Sequence, residues 1–378
     1  MLPLMNYPFS SLPTAPAWSR RLLSALLLAG VLAGTTSCDD DSDDPAVTIT
    51  PAGPKPEWGP TIHPEMQTVI EKLDQLSGGV PLYTLTPQQA RRAPSATDAA
   101  LAVMRDYNIP APVPQVDTTG QRIPVPGGTI RVRMYRPKNA TGTLPAIVYY
   151  HGGGWVIANL DTYDPSARAL SEQTGAVVVS VAYRQAPEYK FPTAHNDSFA
   201  AYRWVRDNAS ALNLNAQRIA VAGESAGGNL AGAVCLMARD ASVPLPVHQL
   251  LVYPIARYDM STPSYTQYAN AKPLSKPLMQ WFYEQYLNSA AEGANPLVSL
   301  VNATNLAGLP PATVINAEID PLQSEGQQYA QKLKAAGVPV TATVYEGVTH
   351  EFFGMATVVP EAREAQALAA AELKKSLQ

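Results

Sequence analysis

The octapeptide Val221-Ala222-Gly223-Glu224-Ser225-Ala226-Gly227-Gly228 stands between a β-branched run opening at Arg218-Ile219 and a small, apolar run from Asn229 to Arg239. A serine framed as Gly-x-Ser-x-Gly between a strand and a helix is the pattern of a nucleophile elbow, a turn sharp enough to lift Oγ above the edge of a sheet. Gly223 and Gly227 leave room for strand and helix to approach, where any Cβ would obstruct. Taken alone, the same residues also fit a glycine-rich turn of an ordinary α/β protein or a loop that cradles phosphate. The choice depends on whether the chain also supplies a base, an acid and oxyanion donors.

Outward from the elbow the chain alternates. Strand-like runs at 146–150, 176–181, 219–222, 248–253, 313–317 and 339–345 are interleaved with helical runs at 164–174, 193–208, 228–239, 323–336 and 360–376. Two further runs, 121–125 and 130–135, read as a hairpin around Gly127-Gly128. Continuous apolar strands alternating with helices predict an α/β fold, with an eight-stranded, mostly parallel sheet covered on both faces. The catalytic domain is expected over 121–378, interrupted by an insertion at about 255–309 that is rich in Tyr, Trp and Pro. Residues 61–120 read as an N-terminal helical cap segment, with apolar Met66, Val69, Ile70, Leu73 and Leu76 at helical spacing.

The first 37 residues contain no acid, and Arg20-Arg21 precede the apolar run Leu22 to Gly34, followed by small residues and Cys38. Positive charge, apolar stretch and small-residue cleavage region describe a secretory signal. A cysteine at its end resembles a bacterial lipoprotein signal, so Cys38 is the expected lipidation site, although Thr35 stands where such signals usually have Leu. The acidic, proline-rich tract from 38 to 60 reads as a solvated tether. Export to the periplasm, outer membrane or cell surface follows, with a lipid anchor on Cys38 as the membrane contact; release into the medium is the alternative.

Composition narrows the partners. With 378 residues, 46% of them hydrophobic, the chain can bury a large core. A net charge of −4 and the lack of a basic block argue against nucleic acid. Only two cysteines, Cys38 and Cys235, leave no disulfide framework. No ligand cluster has metal spacing, and the chemistry below needs no cofactor. Monomer and homodimer both remain open.

The first strand of the alternating series runs into His151-Gly152-Gly153-Gly154-Trp155. Glycines at the carboxyl end of a strand let backbone N–H groups point into the crevice where α/β folds place ligands, and such donors suit a developing oxyanion. A phosphate loop would need a following Gly-Lys-Ser/Thr, which is absent. Of five histidines, His350 follows the last strand and lies downstream of Ser225, where a base should sit.

His-Gly-Gly-Gly-Trp together with Gly-Glu-Ser-Ala-Gly-Gly resembles the hormone-sensitive-lipase group of α/β-hydrolases, the bacterial esterases of that kind. Tyr183-Arg184-Gln185-Ala186-Pro187-Glu188 with Phe191-Pro192, Leu309-Pro310-Pro311 and Asp320-Pro321-Leu322 extend the resemblance from His63 to the C-terminus. Two carboxylates, Glu318 and Asp320, follow the strand at 313–317; the resemblance implies that Asp320 is the acid of a Ser225-Asp320-His350 triad. It implies an α/β-hydrolase fold with a helical cap, an oxyanion hole of Gly153, Gly154 and Ala226, and a small-molecule ester of short to medium chain as substrate. Glu351 stands where the family usually has Gly and places a second carboxylate beside the base.

Trp155, Tyr258 and Trp281 are the candidate substrate-lining residues, since binding pockets are mostly apolar and aromatic. Half or more of the insertion's aromatics are expected to form the cap's own core. An amidase or lactone hydrolase with the same triad is the alternative enzyme, and a non-catalytic binding protein on a hydrolase fold the alternative of another class.

Overall fold

A computed structural model describes residues 47–378 of the chain. The leader at 1–37 and Cys38 lie outside the described residues. In chain order the elements are α1 (Pro64–Ser77), α2 (Pro87–Ala90), α3 (Ala96–Asp106), β1 (Val116–Val125), β2 (Gly128–Pro137), β3 (Leu144–Tyr150), α4 (Asp164–Thr174) and β4 (Val177–Ala182). There follow α5 (Thr193–Asp207), β5 (Leu214–Glu224), α6 (Ala226–Asp240), β6 (Gln249–Val252), α7 (Pro263–Gln267) and α8 (Lys276–Tyr286). The chain closes with β7 (Ala312–Ile319), α9 (Gln323–Ala335), β8 (Val340–Thr349) and α10 (Pro360–Leu377).

One eight-stranded sheet runs in the order β1-β2-β4-β3-β5-β6-β7-β8. β2 is antiparallel to β1 and to β4, and β3 to β8 are parallel to one another. Both faces are covered, as parallel sheets require. Successive residues of β3 divide between the faces: Ala146, Val148 and Tyr150 join Tyr202, Leu230 and Tyr329 from α5, α6 and α9. Ile147 and Tyr149 join Leu170 and Leu373 from α4 and α10 on the other side, where Met66 of α1 and Val103 of α3 also pack. β5 lies at the centre, paired with β3 and β6, so the residue that follows it leaves the middle of the sheet at its carboxyl edge.

Two boundaries move from their sequence-based positions. The solvated tether does not extend to residue 60. Ile49 is buried, the Ala52 and Gly53 N–H groups donate to the Glu71 carboxylate at 2.7 and 3.0 Å, and Gln67 Nε2 donates to the Gly53 and Pro54 carbonyls. Two polar side chains of α1 thus satisfy the backbone of a proline-rich stretch that has no ladder of its own. The N-terminal segment also ends earlier than residue 120, because β1 begins at Val116. Among the described residues, no helix is long and apolar enough to cross a membrane.

Candidate active site

The elbow forms because two glycines permit contacts that no other residue would. A Cβ on Gly223 would lie 2.1 Å from the Gly227 carbonyl oxygen, and one on Gly227 would lie 1.9 Å from that of Tyr150. With strand and helix that close, Ser225 is left at φ 57°, ψ −118° as the N-cap of α6. Such a conformation in a non-glycine residue costs on the order of 1–3 kcal/mol and persists only where the surroundings over-determine it.

Three strand ends bring three side chains together. Ser225 follows β5, Asp320 follows β7 and His350 follows β8. Ser225 Oγ donates to His350 Nε2 at 2.8 Å, and His350 Nδ1 donates to Asp320 Oδ2 at 2.7 Å. All three residues are buried. The other Asp320 oxygen accepts the Leu322 N–H at 2.9 Å, which fixes the carboxylate in its turn. Glu318, the competing acid, faces elsewhere: it accepts from Thr61 Oγ1 at 2.9 Å and from the Gly347 N–H at 2.7 Å.

Burial pulls the His350 imidazole down, but the charge and hydrogen bond of Asp320, with Glu351 and Glu224 farther off, outweigh it. The net direction is upward from the ordinary value.

Behind His350, Glu224 is buried and accepts from the hydroxyls of Tyr149 and Tyr253. Burial first, and then the neighbouring Glu351 charge, push Glu224 up to about 7, against the lowering effect of those hydroxyls. The Tyr253 ring lies 4.4 Å from that of His350 and props it from below.

In the glycine loop after β3, Gly153, Gly154 and Trp155 take φ of 94°, 57° and 61°, a run of left-handed residues. Among the described residues, the N–H groups of Gly153, Gly154 and Ala226 donate to no backbone acceptor. Gly154 must be glycine for a second reason, since a Cβ would meet the Phe282 ring at 2.2 Å.

Ser225, His350, Gly153 and Gly154 open on a cavity of about 740 Å³. Its walls come from Leu73 of α1, Leu82, Ala90 and Pro94 of the α1–α3 connection, Leu274, and Leu278 and Phe282 of α8. The three sequence candidates for its lining are corrected. Trp155 is fully buried and stacks on Tyr286 at 4.4 Å, inside the cap's core. Tyr258 packs edge-on against Tyr283 and over Gly293. Trp281 precedes Phe282 by one helical position, about 100° around α8, and it is Phe282 that lines the cavity, against Gly154. The expectation for the remaining aromatics matches the packing: Tyr265, Tyr283 and Tyr286 are buried in the cap.

Sequence reading counted Phe282 among the insertion's aromatics without singling it out as a lining residue, and missed Leu278 and Tyr163. Glu224 was in view within the elbow motif, but its partners, Tyr149 of β3 and Tyr253 just past β6, are distant in sequence.

His248, between Thr313 Oγ1 and Ser376 Oγ, is structural, as is His195, held by Tyr286 and Asn229. Cys235 is buried and unpaired. Among the described residues no group of three His, Cys, Asp or Glu is placed to hold a metal ion.

A parallel sheet of this order, with a serine on its central elbow and an aspartate and histidine on later strand ends, defines an α/β-hydrolase. A family profile described as alpha/beta hydrolase fold matches residues 147–354. The chain belongs to that family, in its hormone-sensitive-lipase-like group.

A carboxylesterase of Mycobacterium tuberculosis is 43% identical over 251 residues, 66% of this chain and 79% of that protein. An ethyl acetate hydrolase of Pseudomonas putida is 32% identical over 323 residues, 84% of this chain and all of that protein. Among solved structures, a thermostable esterase from Pseudomonas putida superposes with a TM-score of 0.76 at 35% identity, covering 84% of this chain and 98% of that one.

The balance at His350 can be measured directly. In an NMR titration of the ring, its midpoint is expected above about 6.5, the ordinary imidazole value. Asp320→Asn should lower it, because burial then acts against only the lesser pull of Glu351 and Glu224. A wild-type midpoint below 6 would contradict the arrangement.

Proposed function

We propose that the protein is a serine carboxylesterase acting on carboxylic esters of short to medium chain through a Ser225-His350-Asp320 triad. The observation that carries this reading is the unbroken hydrogen-bond chain from Ser225 Oγ through the imidazole to Asp320. His350 Nε2 takes the proton as Ser225 Oγ attacks the ester carbonyl, and Asp320 holds the tautomer and stabilises the imidazolium. The tetrahedral oxyanion is received by the N–H groups of Gly153, Gly154 and Ala226; one such donor is worth about 10²–10³ in rate. The imidazolium then protonates the departing alcohol, and water deprotonated by His350 hydrolyses the acyl-enzyme.

The cavity supports this chain length. An apolar space of about 740 Å³, closed in by Leu278 and Phe282, suits compact esters. The printed name of the Pseudomonas putida relative, ethyl acetate hydrolase, supports the short end of that range.

A panel of p-nitrophenyl esters and a fluorophosphonate label test the reading. Turnover should be highest for short and medium acyl chains and fall for long ones. Ser225→Ala should abolish both turnover and labelling. Asp320→Asn should lower kcat by roughly 10⁴, as removal of a triad aspartate does elsewhere, whereas Glu318→Gln should keep most of it. Equal labelling of wild type and Ser225→Ala would sink the assignment.

The location is part of the same proposal: export, with a lipid anchor on Cys38. Support comes from the acid-free leader, its Arg20-Arg21 pair and apolar run, and the cysteine that follows. Metabolic labelling with a fatty acid should depend on Cys38, and label that survives Cys38→Ser would overturn the anchor.

A further inference from the structure

The reaction proposed above leaves Glu351 without a task. It directly follows His350, takes φ 73° and lines the same cavity as Ser225 and Tyr163. A non-glycine residue in that conformation is strained, so the surroundings hold the side chain where it is. One contact does so: the Tyr163 hydroxyl donates to Glu351 Oε1 at 2.6 Å.

Tyr163 is itself buried, and its hydroxyl lies 2.2 Å from where a Cβ on Gly152 would stand. The carboxylate is therefore clamped between the glycine loop and the histidine loop. Its second oxygen, Oε2, accepts no hydrogen bond among the described residues, and the residue is half-buried in the wall of the cavity.

Most other charged groups around the cavity already have partners. Lys272 pairs with Asp74 at 2.6 Å, Arg91 with Glu188 at 2.6 Å and Asp161 with Arg133 at 2.6 Å. Asp98 caps α3 through Ser95. Arg92 is exposed. Glu351 carries no ion pair with a lysine or arginine among the described residues. A partly desolvated carboxylate with one acceptor oxygen unused gains from any donor a ligand brings, and penalises a second anion.

We propose that Glu351 is a specificity residue, selecting esters that carry an ammonium or hydroxyl donor beside the scissile bond and rejecting those that carry a carboxylate there. The proposal rests on the ester-hydrolase reading. It is a matter of substrate choice, separate from proton transfer at Ser225.

Two sets of matched esters at pH 8 test it, one varied on each side of the scissile bond. The acyl set is methyl butanoate, methyl 4-aminobutanoate and methyl hydrogen succinate. The alcohol set is ethyl, 2-hydroxyethyl and carboxymethyl butanoate. In at least one set, wild-type kcat/KM for the carboxylate ester should fall about tenfold or more below the neutral ester, with the donor-bearing ester equal to the neutral one or better.

Glu351→Gln should close the neutral-to-carboxylate gap by about tenfold. Because the readout is a ratio of substrates within one enzyme, a general loss of activity does not move it. Tyr163→Phe, which removes the hydroxyl that clamps the carboxylate and lets the side chain leave its place in the cavity wall, should narrow the gap in the same direction by a smaller factor, and it decides the matter if Glu351→Gln does not fold. Ratios unchanged in the folded variants would overturn the proposal. If the neutral esters are not hydrolysed, or are hydrolysed equally by Ser225→Ala, the ester-hydrolase reading itself has failed.

Discussion

The close approach of Gly223 to Gly227 is the constraint on which the site depends. Carbonyl oxygens stand about 2 Å from where their Cβ atoms would be, so the strand must enter the helix without a longer loop. The left-handed geometry at Ser225 follows from that contact, as does the direction of Oγ. Because β5 is central, the serine rises between the ends of β3 and β6, and the glycine loop lies on one side of it and the Asp320 and His350 turns on the other. Strain of a few kcal/mol at one residue is absorbed by a core built on both faces of the sheet.

A second dependence runs through the cap. Phe282 rests where a side chain on Gly154 would be, so the glycine loop and the cavity wall are fitted to each other. Trp155, stacked on Tyr286, ties the same loop into the cap's interior. His195 and Asn229 extend that tie into α5 and α6: Asn229 Nδ2 donates to the Ile255 and Val298 carbonyls at both ends of the insertion. Loop, cap and elbow are thus one packed unit, and the shape of the cavity is inherited from the core.

Most of this fold was legible in the sequence because strands buried on both faces read as continuous apolar runs and the helices between them keep a 3.6-residue apolar pattern. The run at 164–174 coincides with α4, and the runs beginning at 193, 323 and 360 open α5, α9 and α10. Ser225 was legible from its Gly-x-Ser-x-Gly frame, His350 as the histidine that follows the last strand, and Asp320 from the family resemblance at Asp320-Pro321-Leu322. Residues 47–60 were not, since a proline-rich segment has no periodicity and its partners, Gln67 and Glu71, look like surface polar residues of α1. The cavity wall was also misread. Composition shows an aromatic-rich insertion but cannot tell Trp281 from Phe282, whose difference is one helical step. Glu351 was visible as a departure from the family pattern, yet its partner Tyr163 is 188 positions away in sequence.

The central claim is that the elbow aims Ser225 Oγ at a carbonyl whose oxygen falls among the N–H groups of Gly153, Gly154 and Ala226. A crystal structure of the enzyme inactivated by an alkyl phosphonate measures this directly, because the tetrahedral phosphorus stands in for the tetrahedral intermediate. Phosphorus bonded to Ser225 Oγ, with its phosphoryl oxygen about 2.7–3.1 Å from those three nitrogens, is the result the account predicts. An adduct on another residue, or a phosphoryl oxygen turned away from the glycine loop, would contradict it.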